Sequence, residues 1–308
     1  MYYIGFDIGG TKCAVSLGRW ENQEIEICNR KEIPTKDSPI DTLEALAPFV
    51  EEWMRQYSVT KAGISCGGPL DANKGVIIST PNLSKGWHGF AIVEYIQKRF
   101  SLQSKLENDA NACAVAEWQF GAGKGAKNVV FLTFGTGLGA GLILNGKLYA
   151  GTNGNAGEIG HIRLENHGPV GYNKAGSAEG FCSGNGIKNL AILRAKEQGI
   201  VIENEEELTT KHIFEKAAQG DAFYVSVVQE SGEKFAKIAS ILIDLFNPEV
   251  IIAGGVFMRN YNVFMPIITP IIEQEALRDS YQVCKILPAK IGENIGDYAA
   301  LALAITEE

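Results

Sequence analysis

No apolar run in the 308 residues approaches membrane-spanning length, and no charged segment precedes a cleavable apolar stretch at the N-terminus, so no membrane partner is expected. There is no CxxC pair. Cys13, Cys28, Cys66, Cys113, Cys182 and Cys284 are scattered, which reads as reduced, mostly packed thiols in a cytoplasmic protein. No basic run offsets a net charge of −8, so nucleic acid is not an expected partner. What the chain has in excess is glycine, 35 residues where average usage gives about 22. The surplus falls largely in 9–10, 63–75, 121–160 and 171–186, which are loops rather than linkers.

The first of these loops organises the chain. Ile4-Gly5-Phe6-Asp7-Ile8 reads as a buried strand and Cys13 to Leu17 as a second. Between them, Gly9 and Gly10 let a ligand approach bare backbone N–H groups, as phosphate cradles do. Thr11 adds a hydroxyl, Lys12 a positive charge, and Asp7 a carboxylate for hydrated Mg²⁺. No helix follows, so the loop is not of the Walker type. Phe131 to Leu142 repeats the design, with Thr133 in the place of Asp7 and Gly135 in that of Gly9, followed by Thr136 and Gly137. Asn145-Gly146 then turns a hairpin. Two such loops imply two related halves with a nucleotide between them. A Cβ at Gly10 or Gly137 is expected to crowd the phosphates.

Strands are expected at 24–33, 62–66, 75–79, 104–106, 249–253 and 282–287, and helices at 42–57, 90–100, 110–120, 186–198, 210–218, 222–246, 264–276 and 296–306. That order gives mixed sheets with helices on their faces. The stretch 150–184 is long, irregular and rich in Gly, Glu, His and Asn, a composition that favours a functional loop. Asn108-Asp109 ends a strand and opens a helix. It can be a helix cap, or Asp109 can be a general base toward a hydroxyl attacking a γ-phosphoryl group, and the two readings are compatible. With Glu158, His161 and Glu179, these residues supply the polar acceptors that a ring of sugar hydroxyls requires.

Asp7-Ile8-Gly9-Gly10-Thr11-Lys12, Glu107-Asn108-Asp109-Ala110-Asn111-Ala112, Thr133 to Gly139 and Ala156-Gly157-Glu158-Ile159-Gly160-His161 appear in the order found in the ROK family of bacterial sugar kinases and sugar-responsive repressors, which the chain resembles along nearly its whole length. The resemblance implies an α/β, actin-like (ribonuclease H-like) fold of two domains around a central cleft. The division expected is a smaller domain from 1–108 plus about 296–308 and a larger one from 109–295. It implies ATP-dependent phosphorylation of a hexose or hexosamine, at the 6-hydroxyl of a glucose-like substrate, with Mg²⁺ and in a homodimer. The alternatives are a non-catalytic sugar sensor, or a kinase for N-acetylhexosamine or fructose. Asp109 resembles the catalytic base; Gly68, Asn82, Asn108, Asp109, Glu158, His161 and Glu179 resemble sugar-side residues. Gly9, Gly10, Thr11, Lys12, Gly135, Thr136 and Gly137 resemble the phosphate loops, Gly254 and Gly255 the turn under adenosine.

One departure stands out. Many members carry three cysteines that bind structural zinc with the histidine matching His161; here those places hold Val170, Tyr172 and Ser177. No zinc is expected, His161 is left for sugar, and packing, with Tyr172 in it, is expected to hold the 165–180 loop. The repressors' DNA-reading segment is not expected either, since the first loop begins almost at Met1.

Overall fold

The structure, a computed structural model, describes residues 1–306. The chain forms two units. One holds Met1–Gly125, Leu148–Ala156 and the segment beginning at Glu293; the other holds Ala126–Lys147 and Gly157–Gly292.

In the first unit, β1 (Tyr2–Ile8), β2 (Lys12–Glu21), β3 (Glu24–Pro34), β4 (Val59–Cys66) and the two-residue hairpin strands β5 (Leu70–Asp71) and β6 (Val76–Ile77) precede β7 (Gln103–Asn108). The main sheet has the order β3-β2-β1-β4-β7. β1 runs antiparallel to β2 and parallel to β4, which is parallel to β7. Alternation along β1 sends Ile4, Phe6 and Ile8 into one core with Leu43, Leu46, Val50 and Trp53 of the helix Pro39–Gln56. Tyr3 goes to the opposite face, against Leu301 and Ala304 of the last helix, Ile295–Ile305.

That helix lies unusually close to the sheet because glycines meet it. A Cβ at Gly5 would stand 3.0 Å from the Ala300 Cβ, one at Gly18 2.7 Å from a Leu301 methyl, and one at Gly63 would overlap the Ala300 carbonyl oxygen. Helix and strand backbones therefore touch at Gly63. Gly63→Ala should lower stability by about 1–3 kcal/mol, the usual cost of forcing a methyl into a filled core. A urea midpoint equal to wild type would refute this contact.

The second unit repeats the topology. β8 (Val129–Leu132), β9 (Ala140–Leu144), β10 (Lys147–Leu148), the hairpin strands β11 (Val170–Gly171) and β12 (Lys174–Ala175), β13 (Val250–Ala253) and β14 (Lys285–Pro288) follow. The second sheet has the order β10-β9-β8-β13-β14, the first sheet's order strand for strand. β8 pairs antiparallel with β9 and parallel with β13, as β1 does with β2 and β4. β8 and β13 are buried along their whole length, which explains their unbroken apolar sequence. Phe134, Phe235, Phe257 and Phe264 form the aromatic centre of this core, with neighbouring rings 4.7 to 6.3 Å apart.

Two expectations need correcting. The helix Asp109–Phe120 lies in the first unit, not the second, because it packs against the last helix; the expected range to 308 also ends on two residues outside the described ones. The strand expected at 282–287 starts three residues too early: Gln282 and Val283 end the helix Arg278–Val283, and β14 covers Lys285–Pro288. Val283 has the β-branched side chain that suits a strand, but it is exposed, and the buried positions of the strand begin only at Ile286. Of the cysteines only Cys28 is exposed. No helix among the described residues is long and apolar enough to cross a membrane.

Candidate active site

The β1–β2 turn is closed by the Gly9 N–H donating to the Lys12 carbonyl (3.1 Å). Thr35, just past β3, clamps it: its hydroxyl donates to Gly9 O (2.6 Å) and its N–H to Thr11 O (3.0 Å). Lys12 is ion-paired to Glu32 (2.7 Å), which also holds Arg30 (2.8 Å), and Arg30 reaches buried Asp297 (2.7 Å). Asn82, exposed in its loop, lies against Gly10 so closely that a Cβ on Gly10 would overlap the Asn82 carbonyl. Asp7 abuts Gly296 at the start of the last helix. Burial first, then the charges of Asp297 and Asp109, raise its carboxyl to about 6.

Asn108 and Asp109 stand at the β7–helix junction. The Asn108 side chain caps the helix, accepting from the Ala110 N–H (3.0 Å), so the capping role is real. Asp109 Oδ1 accepts from the same N–H (2.8 Å), while Oδ2 hydrogen-bonds to no other described residue. Solvent reaches Asp109, yet protein atoms crowd its carboxyl, and that desolvation raises its pKa despite the backbone hydrogen bonds. Buried Glu107 accepts from the Asn108 N–H (2.8 Å) and from Asn111 Nδ2 (3.0 Å), orienting the segment. Gly67 and Gly68 border it: a Cβ on Gly67 would lie 3.8 Å from Asp109 Oδ2, and one on Gly68 3.1 Å from Asn108 Nδ2.

The second unit closes its turn in the same way, with the Gly135 N–H donating to Gly137 O (3.0 Å). Thr133 ties the ends, its hydroxyl accepting from the Gly139 N–H (2.9 Å). The helix Gly184–Gln198 starts here, with Gly184 N–H on Gly135 O (2.7 Å) and Asn185 N–H on Thr136 O (3.4 Å). Gly254 and Gly255 follow β13 and pack onto the same segment. The Gly254 N–H meets Leu132 O (2.9 Å), and a Cβ on Gly255, at φ +53°, would overlap Phe134 O.

The expected effect of a Cβ on the phosphate glycines changes with these neighbours. At Gly10 the first obstacle is Asn82, and at Gly137 it is the Glu179 carboxylate, 2.6 Å away; both are protein atoms. At Gly135 the nearest atom would be 3.8 Å away, so its open side is left to a ligand. Glu179 itself accepts from the Leu138 N–H (3.1 Å) and so braces the glycine turn rather than bonding to Glu158 or His161.

Those two belong to another cluster. Glu158 accepts from the Tyr172 hydroxyl (3.3 Å), and His161 meets the Tyr172 ring edge-on, centroids 5.5 Å apart. Lys174 Nζ lies 2.9 Å from His161 Nδ1 and donates to His161 O (2.7 Å). Ser177 caps the short helix Ala178–Phe181 and donates to Gly171 O (3.0 Å). Tyr172 thus does contribute to holding the loop. The donors here do not fit zinc: Val170, Tyr172 and Ser177 offer no thiolate, and an ammonium already meets Nδ1. Among the described residues no three His, Cys, Asp or Glu side chains are grouped to grip a metal directly. The crowded charge around Asp7 nonetheless suits a hydrated divalent cation, which would relieve its repulsion from Asp297 and Asp109.

Thr35, Glu107, Gly184 and Lys174 also join these clusters. Only Glu107 carried a signal, as the first residue of its motif.

A profile of the ROK family matches residues 3–307. A glucokinase of Halalkalibacterium halodurans is 32% identical over 281 residues, 86% of this chain and 84% of that one. Among solved structures, a ROK family glucokinase from Streptomyces griseus in complex with glucose and AMPPNP superposes with a TM-score of 0.78 at 29% identity, covering 99% of each chain. A ROK family transcriptional regulator, a homologue of the E. coli MLC protein, superposes with a TM-score of 0.84 at 27% identity, covering 98% of this chain and 77% of that one.

Proposed function

The chain belongs to the ROK family, with its actin-like fold, and from that membership we propose that it is an ATP-dependent sugar kinase acting on the 6-hydroxyl of a glucose-like hexose. The observation that carries this reading is Asp109. One carboxylate oxygen is anchored to the helix N-terminus and the other is uncommitted, with a proton affinity raised by its surroundings. A base built this way accepts a hydroxyl proton as the oxygen attacks the γ-phosphoryl group. A pure sensor has no need of one.

The other roles are carried over from the family resemblance. Gly10, Thr11 and Lys12 in the first unit and Thr136 and Gly137 in the second offer N–H, hydroxyl and ammonium donors to phosphate oxygens, while Gly9 and Gly135 shape the two ATP-binding turns by closing them with their own N–H groups; Gly254 and Gly255 lie beneath adenosine. Lys12 must exchange Glu32 for phosphate. Mg²⁺ would be held through water by Asp7 and would neutralise charge on the phosphates. Gly68, Asn82, Asn108, Glu158 and His161 contact sugar hydroxyls. Glu179 does so while bracing Leu138. Positioning and electrostatics suffice for this transfer; no covalent intermediate is needed. The homodimer rests on the family resemblance and is tested by sedimentation.

The second reading, a sugar sensor without turnover, is favoured by the likeness to the transcriptional regulator. Coupled ADP release across glucose, mannose, fructose, N-acetylglucosamine and N-acetylmannosamine under saturating ATP separates the two. Turnover with glucose above the other sugars supports the proposal. Binding without ADP release supports the sensor, and preference for another sugar overturns the glucose assignment alone.

A further inference from the structure

We propose that Lys174 is the positioning residue for His161, its ammonium group holding the imidazole in the tautomer that carries the proton on Nε2. The inference deepens the kinase reading, on which the sugar-contacting role of His161 rests.

The geometry is specific. Lys174 Nζ stands 2.9 Å from His161 Nδ1 and 2.7 Å from the carbonyl oxygen of the same residue. An ammonium has three protons and no lone pair, so it can only donate. Nδ1 must therefore present its lone pair, and the neutral ring's proton sits on Nε2, available to a sugar oxygen. Lys174 makes no ion pair with any described residue, so its charge is committed to this histidine. The placement is built into the loop. Gly171 pairs with Lys174 across the β11–β12 hairpin, whose turn residues Tyr172 and Asn173 have φ of +51° and +55°. The hairpin thus lays the Tyr172 ring edge against the imidazole and Lys174 against its Nδ1. The loop's ends are fastened by the Ala178 N–H to Ile162 O (2.7 Å) and the Leu164 N–H to Gly176 O (2.8 Å).

A metal ion on Nδ1 would impose the same tautomer. Here the loop offers no thiolate to hold one, and a lysine supplies the cation from within the chain.

Long-range ¹H–¹⁵N correlation on protein labelled at its four histidines, with His161 assigned from His161→Gln, reads the tautomer at pH 8 without any turnover. The expected result is Nε2 protonated and Nδ1 bare in wild type. Lys174→Met should give a mixed or reversed pattern, and Lys174→Arg should restore it. In Lys174→Met the KM for sugar should rise roughly tenfold, the worth of one well-placed hydrogen bond, with kcat and the KM for ATP unchanged. Protonated Nδ1 in wild type, or an unaltered pattern in Lys174→Met, would overturn the proposal, as would one zinc per chain by elemental analysis. Because the spectrum is independent of catalysis, it stands or falls separately from the kinase assay.

Discussion

Asp109→Asn should lower sugar-dependent ADP release by about 10²- to 10⁴-fold, the range spanned by general base catalysis, while sugar binding measured by calorimetry is retained. The substitution is close to isosteric. An asparagine Oδ1 can still accept the Ala110 N–H that Asp109 Oδ1 accepts now (2.8 Å), so the helix start is preserved. What is lost is the anionic oxygen able to take a proton. Turnover within a factor of about three of wild type would remove Asp109 from the chemistry, since a factor that small is far below the roughly hundredfold minimum that a general base supplies.

The same carboxyl sets the pH profile. A base must be unprotonated to act, and desolvation raises the Asp109 pKa above its ordinary value. Activity should therefore be full on the alkaline side and fall as pH drops through that raised pKa, an acid limb displaced upward from the ordinary aspartate value. The limb should vanish from the residual activity of Asp109→Asn. A limb at the ordinary aspartate value would mean that the crowding around Asp109 is relieved when substrates bind.

Gly135→Val should raise the KM for ATP roughly tenfold or more, the loss of one or two hydrogen bonds to phosphate, and leave the fold and the KM for sugar unchanged. A Cβ there has only Thr133 O nearby, at 3.8 Å, so the added carbons project toward the ligand rather than into protein. Gly137→Val should behave differently. Its Cβ strikes the Glu179 carboxylate, breaks that group's hold on the Leu138 N–H, and should raise both Michaelis constants. A rise in the KM for sugar alone from Gly135→Val, or unchanged Michaelis constants in Gly137→Val, would contradict the roles assigned to the two ends of this turn.

The contrast between these glycines shows where sequence reading succeeds and where it stops. Glycine spacing and the echo of Asp7–Lys12 in Thr133–Gly139 were legible because turns and strand alternation are local properties, and the matching sheet orders bear the repeat out. The helices Thr210–Ala218 and Ala222–Phe246 follow their apolar period to the residue. The helix at Pro39 was read three residues late, although Ser38-Pro39 is a cap followed by a first-turn proline. Contacts distant in sequence left no trace. Thr35 reaches Gly9 across 26 residues and Glu179 reaches Leu138 across 41, and no periodicity encodes such pairings. Lys174 on His161 depends on two consecutive left-handed residues, Tyr172 and Asn173, in a stretch that composition marks only as a loop.

The proposal's centre is the transfer of phosphoryl to a carbohydrate alcohol, and ³¹P spectroscopy of the wild-type protein with ATP, Mg²⁺ and glucose observes it directly. A sugar phosphomonoester resonance should grow in step with ADP. ADP accompanied by inorganic phosphate and no ester would make the protein an ATPase, and an unchanged ATP spectrum under saturating sugar would make it a sensor; either contradicts the account.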